Sequence, residues 1–290
     1  MIVFSISFPI ILGTLDLNYK IKTKMHNIKD LFFSTKNFSK KWEKYFDVYD
    51  EILYKYKNKK ITIVEVGVHN CGSLEVWRKF LGNDARIIGI DANPECKKFE
   101  KEGYEIFIGD QTNSLFWEGF FNEVGPIDIL IDDGGHTNEQ QIKTVVNCIK
   151  NINDGGLLIT EDTHTSYQKE FGNPSRYSFM NFAKKLTDDI NFKYPFKQIK
   201  QFKFTLNDFI HSITFYESIV VFKVDKKKCY TNTYIQNLGK RHGISDFRND
   251  KEKLIKIANY LREKIYFFKN IKFQKINYFL KNFSLKKYFK

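Results

Sequence analysis

The fold is decided by residues 127–136, which read IDILIDDGGH: an apolar run of strand length that ends in two acids, two glycines and a histidine. A second apolar run, residues 156–160, is likewise followed by two acids, Glu161 and Asp162. Short apolar runs of this kind are typical of buried parallel strands. Residues 138–152 between them carry apolar side chains at helical spacing, so the unit is predicted to be strand, helix, strand.

A strand–helix–strand unit with a right-handed crossover places the ends of both strands at the same edge of one sheet. Asp133, His136, Glu161 and Asp162 are therefore expected to converge there. Several carboxylates beside one imidazole suit a hard metal ion with a general base next to it. The alternative is that the two later acids cap a helix and that the histidine is an ordinary loop residue.

The first predicted strand, residues 61–66, enters a loop that contains Gly67 and Gly72 and then a helix. Glycines let a ligand approach the backbone closely, and a helix N-terminus favours an anionic group. The loop has neither the spacing of a dinucleotide fingerprint nor the lysine of a phosphate-binding loop. By itself it also fits an ordinary strand-to-helix turn.

Acids follow the next two predicted strands as well. Residues 86–90 end at Asp91, which is placed to accept the hydroxyls of a ribose, and residues 104–108 end before Asp110, which could meet an adenine edge. Either acid alone could be a helix cap. Acids at successive strand ends, together with the glycine loop, favour an adenosine-containing ligand.

With these motifs the chain resembles class I S-adenosylmethionine-dependent methyltransferases, and more narrowly the metal-dependent sugar O-methyltransferases of the macrocin and mycinamicin type. The resemblance covers roughly residues 40–224, and its matching pieces are 64–77, 109–111, 131–136 and 161–167. It implies an α/β fold: a Rossmann-like, doubly wound, seven-stranded and mostly parallel sheet. Strand-like residues 212–223 are expected to form a terminal antiparallel hairpin at the sheet edge, and residues 198–206 also look like a strand.

Carried over residue by residue, the resemblance implies Mg²⁺ or another divalent cation on Asp133, Glu161 and Asp162, with His136 as the general base. It implies S-adenosylmethionine as the cofactor, bound by Asp91 at the end of the second predicted strand and by residues of the matching motifs: Glu65, Gly67, Gly72, Ser73, Asp110, Gln111 and Asp132. His164 and Tyr167 are candidates for the acceptor pocket, with a plain loop role equally open. Neighbouring residues of a strand point to opposite faces, so Glu161 and Asp162 can share a metal only if the chain bends there.

Residues 1–58 are predicted to form an N-terminal arm and helices that cover the cofactor site. Trp42, Tyr45 and Tyr49 recur at helical spacing and could cover the ligand, although a core role is the more common one. Residues 2–12 are apolar but too short for a membrane span, and no basic segment precedes them. They are expected to be a packing arm or an upstream extension.

Charge divides the 290-residue chain. Residues 1–224 hold 29 basic and 29 acidic residues, whereas residues 225–290 hold 18 basic and 5 acidic ones, so the net charge of +13 lies in the tail. We expect a methyltransferase domain over 59–224 and a basic, aromatic-rich helical extension over 225–290. The four scattered cysteines fit a reduced, cytoplasmic protein.

The tail leaves several partners open. Packing against the body or against a second copy is the first expectation. Contact with the inner face of a membrane is the second, because basic amphipathic helices suit anionic lipids. Nucleic acid is the least favoured.

The predicted function is methyl transfer from S-adenosylmethionine to a hydroxyl of a sugar-containing acceptor: a polysaccharide such as a capsule, a glycolipid or a sugar-nucleotide precursor. Two alternatives remain open. One is a nucleic-acid methyltransferase that uses the tail, and the other is a non-catalytic cofactor-binding module.

Overall fold

The computed structural model describes residues 27–171, 176–193 and 204–243, together with Ile257 and Tyr260. The chain divides into two units, Met1–Thr233 and Tyr234–Lys290. The sheet and the candidate site belong to the first. The predicted arm at residues 2–12 lies outside the described residues, as does the predicted helical extension beyond residue 243, apart from Ile257 and Tyr260.

Seven strands form one sheet, as predicted. Their bounds are β1 Thr62–Val66, β2 Arg86–Asp91, β3 Glu105–Ile108, β4 Ile127–Asp132, β5 Ile152–Thr160, β6 Ile210–Tyr216 and β7 Ile219–Val224. Their order in the sheet is β3-β2-β1-β4-β5-β7-β6. The first five are parallel and β7 is antiparallel to both of its neighbours, so the last two strands form the expected hairpin at the edge.

Helices cover both faces of the sheet. Their bounds are α1 Ile28–Phe33, α2 Tyr45–Leu53, α3 Gly72–Leu81, α4 Ser114–Val124, α5 Asn138–Cys148 and α6 Phe179–Asn191. The first three helices pack in one apolar layer, whose large buried side chains include Tyr49 and Trp77. The last three pack in the other, around Trp117 and Phe179. Two buried layers on one sheet define a doubly wound α/β architecture.

The strand order reverses between β1 and β4. From β1 the chain continues outwards through β2 and β3, whereas β4 and β5 lie on the other side. Ligands of open α/β sheets bind in the crevice at the carboxyl ends of the strands beside such a reversal. The sequence clusters after Val66 and after Asp132 both end at this crevice.

Several element boundaries differ from the sequence predictions. The helix after the DDGGH cluster ends at Cys148 and not at residue 152, because a short 3₁₀ turn over Ile149–Asn151 follows it. Strand β5 begins at Ile152, before the predicted start at Gly156. Helix α4 occupies a stretch to which we assigned no element, and the side chain of Asn113 caps its start. Of the predicted strand at 198–206, only 204–206 are described, and they are not in a strand.

Candidate functional site

A cavity of about 510 Å³ opens at the carboxyl ends of β1 to β4. Predicted cofactor-binding residues that line it are Gly67, Gly72, Ser73, Asp91, Asp110 and Gln111, and Asp133 and His136 line it as well. Glu65 and Asp132 are not among the described residues that line it. Both are fully buried: Glu65 contacts Lys41, and Asp132 contacts Gln111.

The two predicted loop glycines are required by packing as well as by ligand access. Gly67 has φ +97°, and a Cβ atom there would lie 2.1 Å from the carbonyl oxygen of Asp133. A Cβ at Gly72 would lie 2.7 Å from the carbonyl oxygens of Asn37 and Phe38. The glycine loop therefore holds the DDGGH loop on one side and the segment before α2 on the other.

Asp91 and Asp110 are both held by backbone donors. Asp91 Oδ2 accepts hydrogen bonds from the amides of Val68 (2.9 Å) and His69 (3.0 Å), which ties the glycine loop to the end of β2. Asp110 Oδ1 accepts from the amide and the hydroxyl of Thr112. Neither acid caps a regular α-helix. Each carboxylate retains acceptor capacity for a ligand hydroxyl or amine.

Gln111 is a buried bridge. Its Nε2 donates to Asp132 Oδ1 (2.9 Å) and to Thr144 Oγ1 (3.0 Å), and its Oε1 accepts from the amide of Gly135 (3.0 Å). Asp132 also accepts from the amide of Gly134 at 3.3 Å, and burial raises the pKa of its carboxyl. This network fixes the loop that carries Asp133 and His136.

Next to the cavity, three carboxylates surround one ammonium group. Lys41 Nζ lies 2.6 Å from Asp133 Oδ2, 2.7 Å from Glu161 Oε1 and 3.3 Å from Glu65 Oε1. The Lys41 side chain is only 5% exposed, and Glu161 and Glu65 are fully buried. Tyr49 donates its hydroxyl hydrogen bond to Glu161.

Burial sets the electrostatics of this cluster. It raises the pKa of Glu161 well above its usual value; the charge of Asp133 raises it further, while Lys41 and Tyr49 oppose the rise. Burial also raises the pKa of Glu65. For Lys41, burial alone would lower the pKa, but the three carboxylates outweigh it and the pKa is raised well above its usual value. The ammonium is therefore charged.

The chain bends at Asp162, as a shared site requires. Its φ of 53° and ψ of 34° are left-handed, so Glu161 and Asp162 do not alternate as strand neighbours do. Asp162 Oδ1 accepts from the hydroxyl of Tyr45 (2.6 Å) and from Trp42 Nε1 (3.0 Å). Among the described residues, the side chain of Asp162 makes no capping hydrogen bond to the 3₁₀ turn that follows.

His136 lies between the two acidic groups. Its Nε2 atom is 3.5 Å from Asp162 Oδ2 and 4.0 Å from Asp133 Oδ1. Its backbone is left-handed, with φ 58°. Its Nδ1 atom is buried and has no hydrogen-bond partner among the described residues.

A second cavity, of about 340 Å³, adjoins the first. It is lined by Lys40, Lys41, Trp42, Tyr45, Asp133, His136, Glu161, Asp162, His164, Thr165, Gln168 and Phe171. Of the two candidates for the acceptor pocket, His164 lines this cavity, whereas Tyr167 is 59% exposed and is not among the described residues that line it. The two cavities share Lys40, Asp133 and His136.

The donor set fits a small hard cation. Asp133, His136 and Asp162 form one group whose ligand atoms all lie within 4.8 Å of one another, and Glu65, Asp133 and Glu161 form another. The predicted ligands Asp133, Glu161 and Asp162 are therefore divided between two groups, which share Asp133. Carboxylate oxygens are the ligands Mg²⁺ prefers. Glu161 Oε2 is buried without a hydrogen-bond partner among the described residues, so it has an acceptor position to give.

Sequence reasoning missed Lys41, which nothing distinguishes from the other 46 lysines and arginines. It took Trp42, Tyr45 and Tyr49 mainly as core residues. The two tyrosines are buried but direct their hydroxyls to Asp162 and Glu161, and Trp42 is 58% exposed. Helical spacing showed a buried face and could not show where the hydroxyls point.

The fold and the site define a class I methyltransferase architecture. In agreement with the sequence resemblance, the chain is similar to macrocin- and mycinamicin-type sugar O-methyltransferases. It is 28% identical over 171 residues to 8-demethyl-8-alpha-L-rhamnosyl tetracenomycin-C 2'-O-methyltransferase of Streptomyces olivaceus, covering 54% of this chain and 44% of that one. It is 30% identical over 131 residues to mycinamicin VI 2''-O-methyltransferase of Micromonospora griseorubida, covering 43% and 32%.

Among solved structures, the MycE methyltransferase from the mycinamycin pathway, in complex with Mg, SAH and mycinamycin VI, has the same fold. The TM-score is 0.61 at 22% identity, over 69% of this chain and 53% of that one. The chain thus spans about half the length, or less, of the relatives it matches. No protein-family model matches it. Among the described residues, no helix has both the length and the apolar character that crossing a membrane requires.

Proposed function

We propose that this protein is an S-adenosylmethionine-dependent O-methyltransferase that acts on a sugar hydroxyl. The observation that carries the proposal is the junction of the two cavities at Asp133 and His136. A methyl donor in the larger cavity and an acceptor in the smaller one would meet at these side chains. The curated relatives, which are named for O-methylation of glycosylated compounds, support the choice of acceptor.

The cofactor fits the larger cavity by its polar anchors. Asp91 would accept the ribose hydroxyls and Asp110 would lie near the adenine, while Gly67 and Gly72 leave room along the backbone. The amino-terminal turn of α3, with Ser73, favours an anionic group such as the methionine carboxylate. Gln111 would meet the cofactor at this surface, while behind it Glu65 contacts Lys41 and Asp132 holds Gln111.

The metal would be held by Asp133, Glu161 and Asp162, with water or acceptor oxygens completing its shell. When bound, it would orient the acceptor and lower the pKa of its hydroxyl. His136 would take the hydroxyl proton at Nε2, the atom that faces Asp162 and Asp133. The oxygen then forms its bond to the methyl carbon as the sulfur–carbon bond breaks. In-line placement by the two cavities supplies the proximity effect.

The acceptor side suits a sugar. Trp42 and His164 meet edge to face with ring centroids 5.7 Å apart, at the wall of the smaller cavity. An aromatic face packs on the apolar face of a sugar ring, and the neighbouring hydroxyl and carboxylate groups bind its polar edge. His164 Nδ1 pairs with Ser218 Oγ, which fixes the ring.

The finer predictions extend this proposal. A capsular polysaccharide, a glycolipid and a sugar nucleotide are the acceptors to compare with small glycosides. We also propose a cytoplasmic location, assembly into a homo-oligomer, and contact of residues 225–290 with the inner face of a membrane. The last is tested by co-sedimentation of the full chain and a 1–224 truncation with anionic liposomes. Equal partitioning of the two proteins would contradict it.

The function itself is tested with methyl-labelled S-adenosylmethionine, MgCl₂ and a panel of glycosides and sugar nucleotides. We expect label in a sugar ether product, loss of transfer in His136→Gln, and retained cofactor binding in that variant. A labelled nucleic acid instead of a sugar would overturn the acceptor class. Full transfer by His136→Gln would overturn the proposed base.

A further inference from the structure

The carboxylate cluster already contains a cation that belongs to the chain. The oxygens closest to Lys41 Nζ are Asp133 Oδ2 and Glu161 Oε1, at 2.6 and 2.7 Å. These two carboxylates are also two of the three proposed metal ligands. Neither lies at the surface with a choice of partners: Glu161 is fully buried and the side chain of Asp133 is 22% exposed.

The segment that carries Lys41, residues 34–44 between α1 and α2, is anchored at several points. The amides of Lys36 and Asn37 donate to Glu75 Oε2, at 2.8 and 3.3 Å. Further along, Trp42 Nε1 donates to Asp162 at 3.0 Å. These contacts fix the backbone that carries Lys41, and so they fix the position of its ammonium group in the cluster.

Removing the ammonium without replacement would be costly. Glu65, Asp133 and Glu161 would then face one another with little solvent, and burying unpaired charge is strongly unfavourable. One cation relieves this repulsion. A second cation at the same two oxygens would be repelled by the first, because like charges a few ångströms apart interact strongly in a buried site.

We propose that Lys41 is the resident cation of this site and that Mg²⁺ binds by displacing its ammonium from Asp133 and Glu161. The smaller cavity, which Lys41 lines, gives the displaced ammonium access to solvent, and Glu65 keeps its hydrogen bond from Trp77 Nε1 at 2.8 Å. Lys41 then keeps the cluster neutralised before metal arrives and sets the concentration of Mg²⁺ needed to fill it. The inference rests on the proposed metal site and adds a competitor to it.

The first test is a calorimetric titration of MgCl₂ into the full-length wild type and into the full-length Lys41→Met variant. Methionine keeps the length of the side chain and removes its charge. We expect Lys41→Met to bind Mg²⁺ at least about tenfold more tightly, since a competing unit charge within a few ångströms of the ion is gone. Lys44→Met is the matched control: it removes the same charge from the same segment, but Lys44 pairs with Glu217, and both side chains are at least 70% exposed. Its affinity should equal that of the wild type.

The second test needs no variant and so does not depend on the folding of Lys41→Met. Amine acetylation of the wild type is followed by peptide mass spectrometry with and without MgCl₂. Lys41 should be protected without the ion and modified several-fold faster with it, while Lys44 reacts at one rate in both conditions. Lys41 modification that is unchanged or slower under bound Mg²⁺ would overturn the proposal.

The outcomes separate this inference from the proposed function. Equal Mg²⁺ affinity in the wild type and Lys41→Met would overturn the competition and leave the metal site standing. Weaker binding by Lys41→Met would do the same and make Lys41 a support for the ion. Cofactor binding with no Mg²⁺ binding in either protein would overturn both the competition and the metal site.

Discussion

The bridge made by Gln111 gives the sharpest quantitative prediction. Gln111→Met keeps the size and flexibility of the side chain and removes hydrogen bonds to Asp132, Thr144 and Gly135. Each neutral bond contributes about 1 kcal/mol net, and a buried charged group left short of a donor costs about 1–3 kcal/mol more. The free energy of unfolding should therefore fall by about 3–5 kcal/mol.

The loss should depend on pH. Burial raises the pKa of Asp132 in the folded state, and Gln111 opposes that rise. Without the amide the folded pKa rises further, so the folded protein holds a proton that the unfolded chain releases. Stability then falls as pH increases from the unfolded value towards the folded one. The penalty should be larger at about pH 7 than at about pH 4, which is near the ordinary pKa of an aspartate carboxyl.

Urea unfolding followed by circular dichroism at both pH values measures the effect. Thr144→Val removes one of the three bonds, together with the bond from Thr144 Oγ1 to the Gln140 carbonyl, and should cost about 1–2 kcal/mol. Gln168→Met changes an exposed amide and should stay within about 0.5 kcal/mol of the wild type. A Gln111→Met variant within 1 kcal/mol of the wild type, or a penalty that is the same at both pH values, would refute the reasoning.

Three further predictions test the surrounding structure. Gly67→Ala forces an alanine to adopt φ +97° and places its Cβ 2.1 Å from a carbonyl oxygen of the DDGGH loop. The variant should lose at least about 2 kcal/mol of stability and bind S-adenosylhomocysteine more weakly in calorimetry, and wild-type values for both would contradict this. Tyr49→Phe removes a buried donor to Glu161 and should lower stability by about 1.5–3 kcal/mol in thermal or urea unfolding; an unchanged midpoint would count against that bond. Cys229 should react first with a thiol reagent at pH 8, since burial raises the pKa of Cys71 to about 12; fast modification of Cys71 in the folded protein would be inconsistent with the structure.

The sequence was sufficient for the sheet and for the place of the site. Buried parallel strands leave unbroken apolar runs, and right-handed crossovers bring their carboxyl ends to one edge. The DDGGH cluster and Glu161 could therefore be placed at the same crevice as Asp91. Helix α4, Ser114–Val124, was not predicted, although Asn113 before it is a typical helix-capping residue.

The details that decide the chemistry were not readable from the pattern. The left-handed backbone at Asp162 depends on tertiary contacts of its side chain with Tyr45 and Trp42. The partnership of Lys41 with Asp133 joins residues 92 positions apart. Such long-range pairs leave no periodic signal, so only the structure could bring them together.

Calorimetry shows whether this protein has a cofactor cavity joined to a divalent-cation site. S-Adenosylhomocysteine and then MgCl₂ are titrated into the wild type and into Asp133→Asn/Glu161→Gln. We expect the wild type to bind both ligands and the variant to bind S-adenosylhomocysteine but not Mg²⁺. Retained cofactor binding shows that the variant is folded. A wild-type protein that binds no S-adenosylhomocysteine would overturn the proposed methyltransferase function.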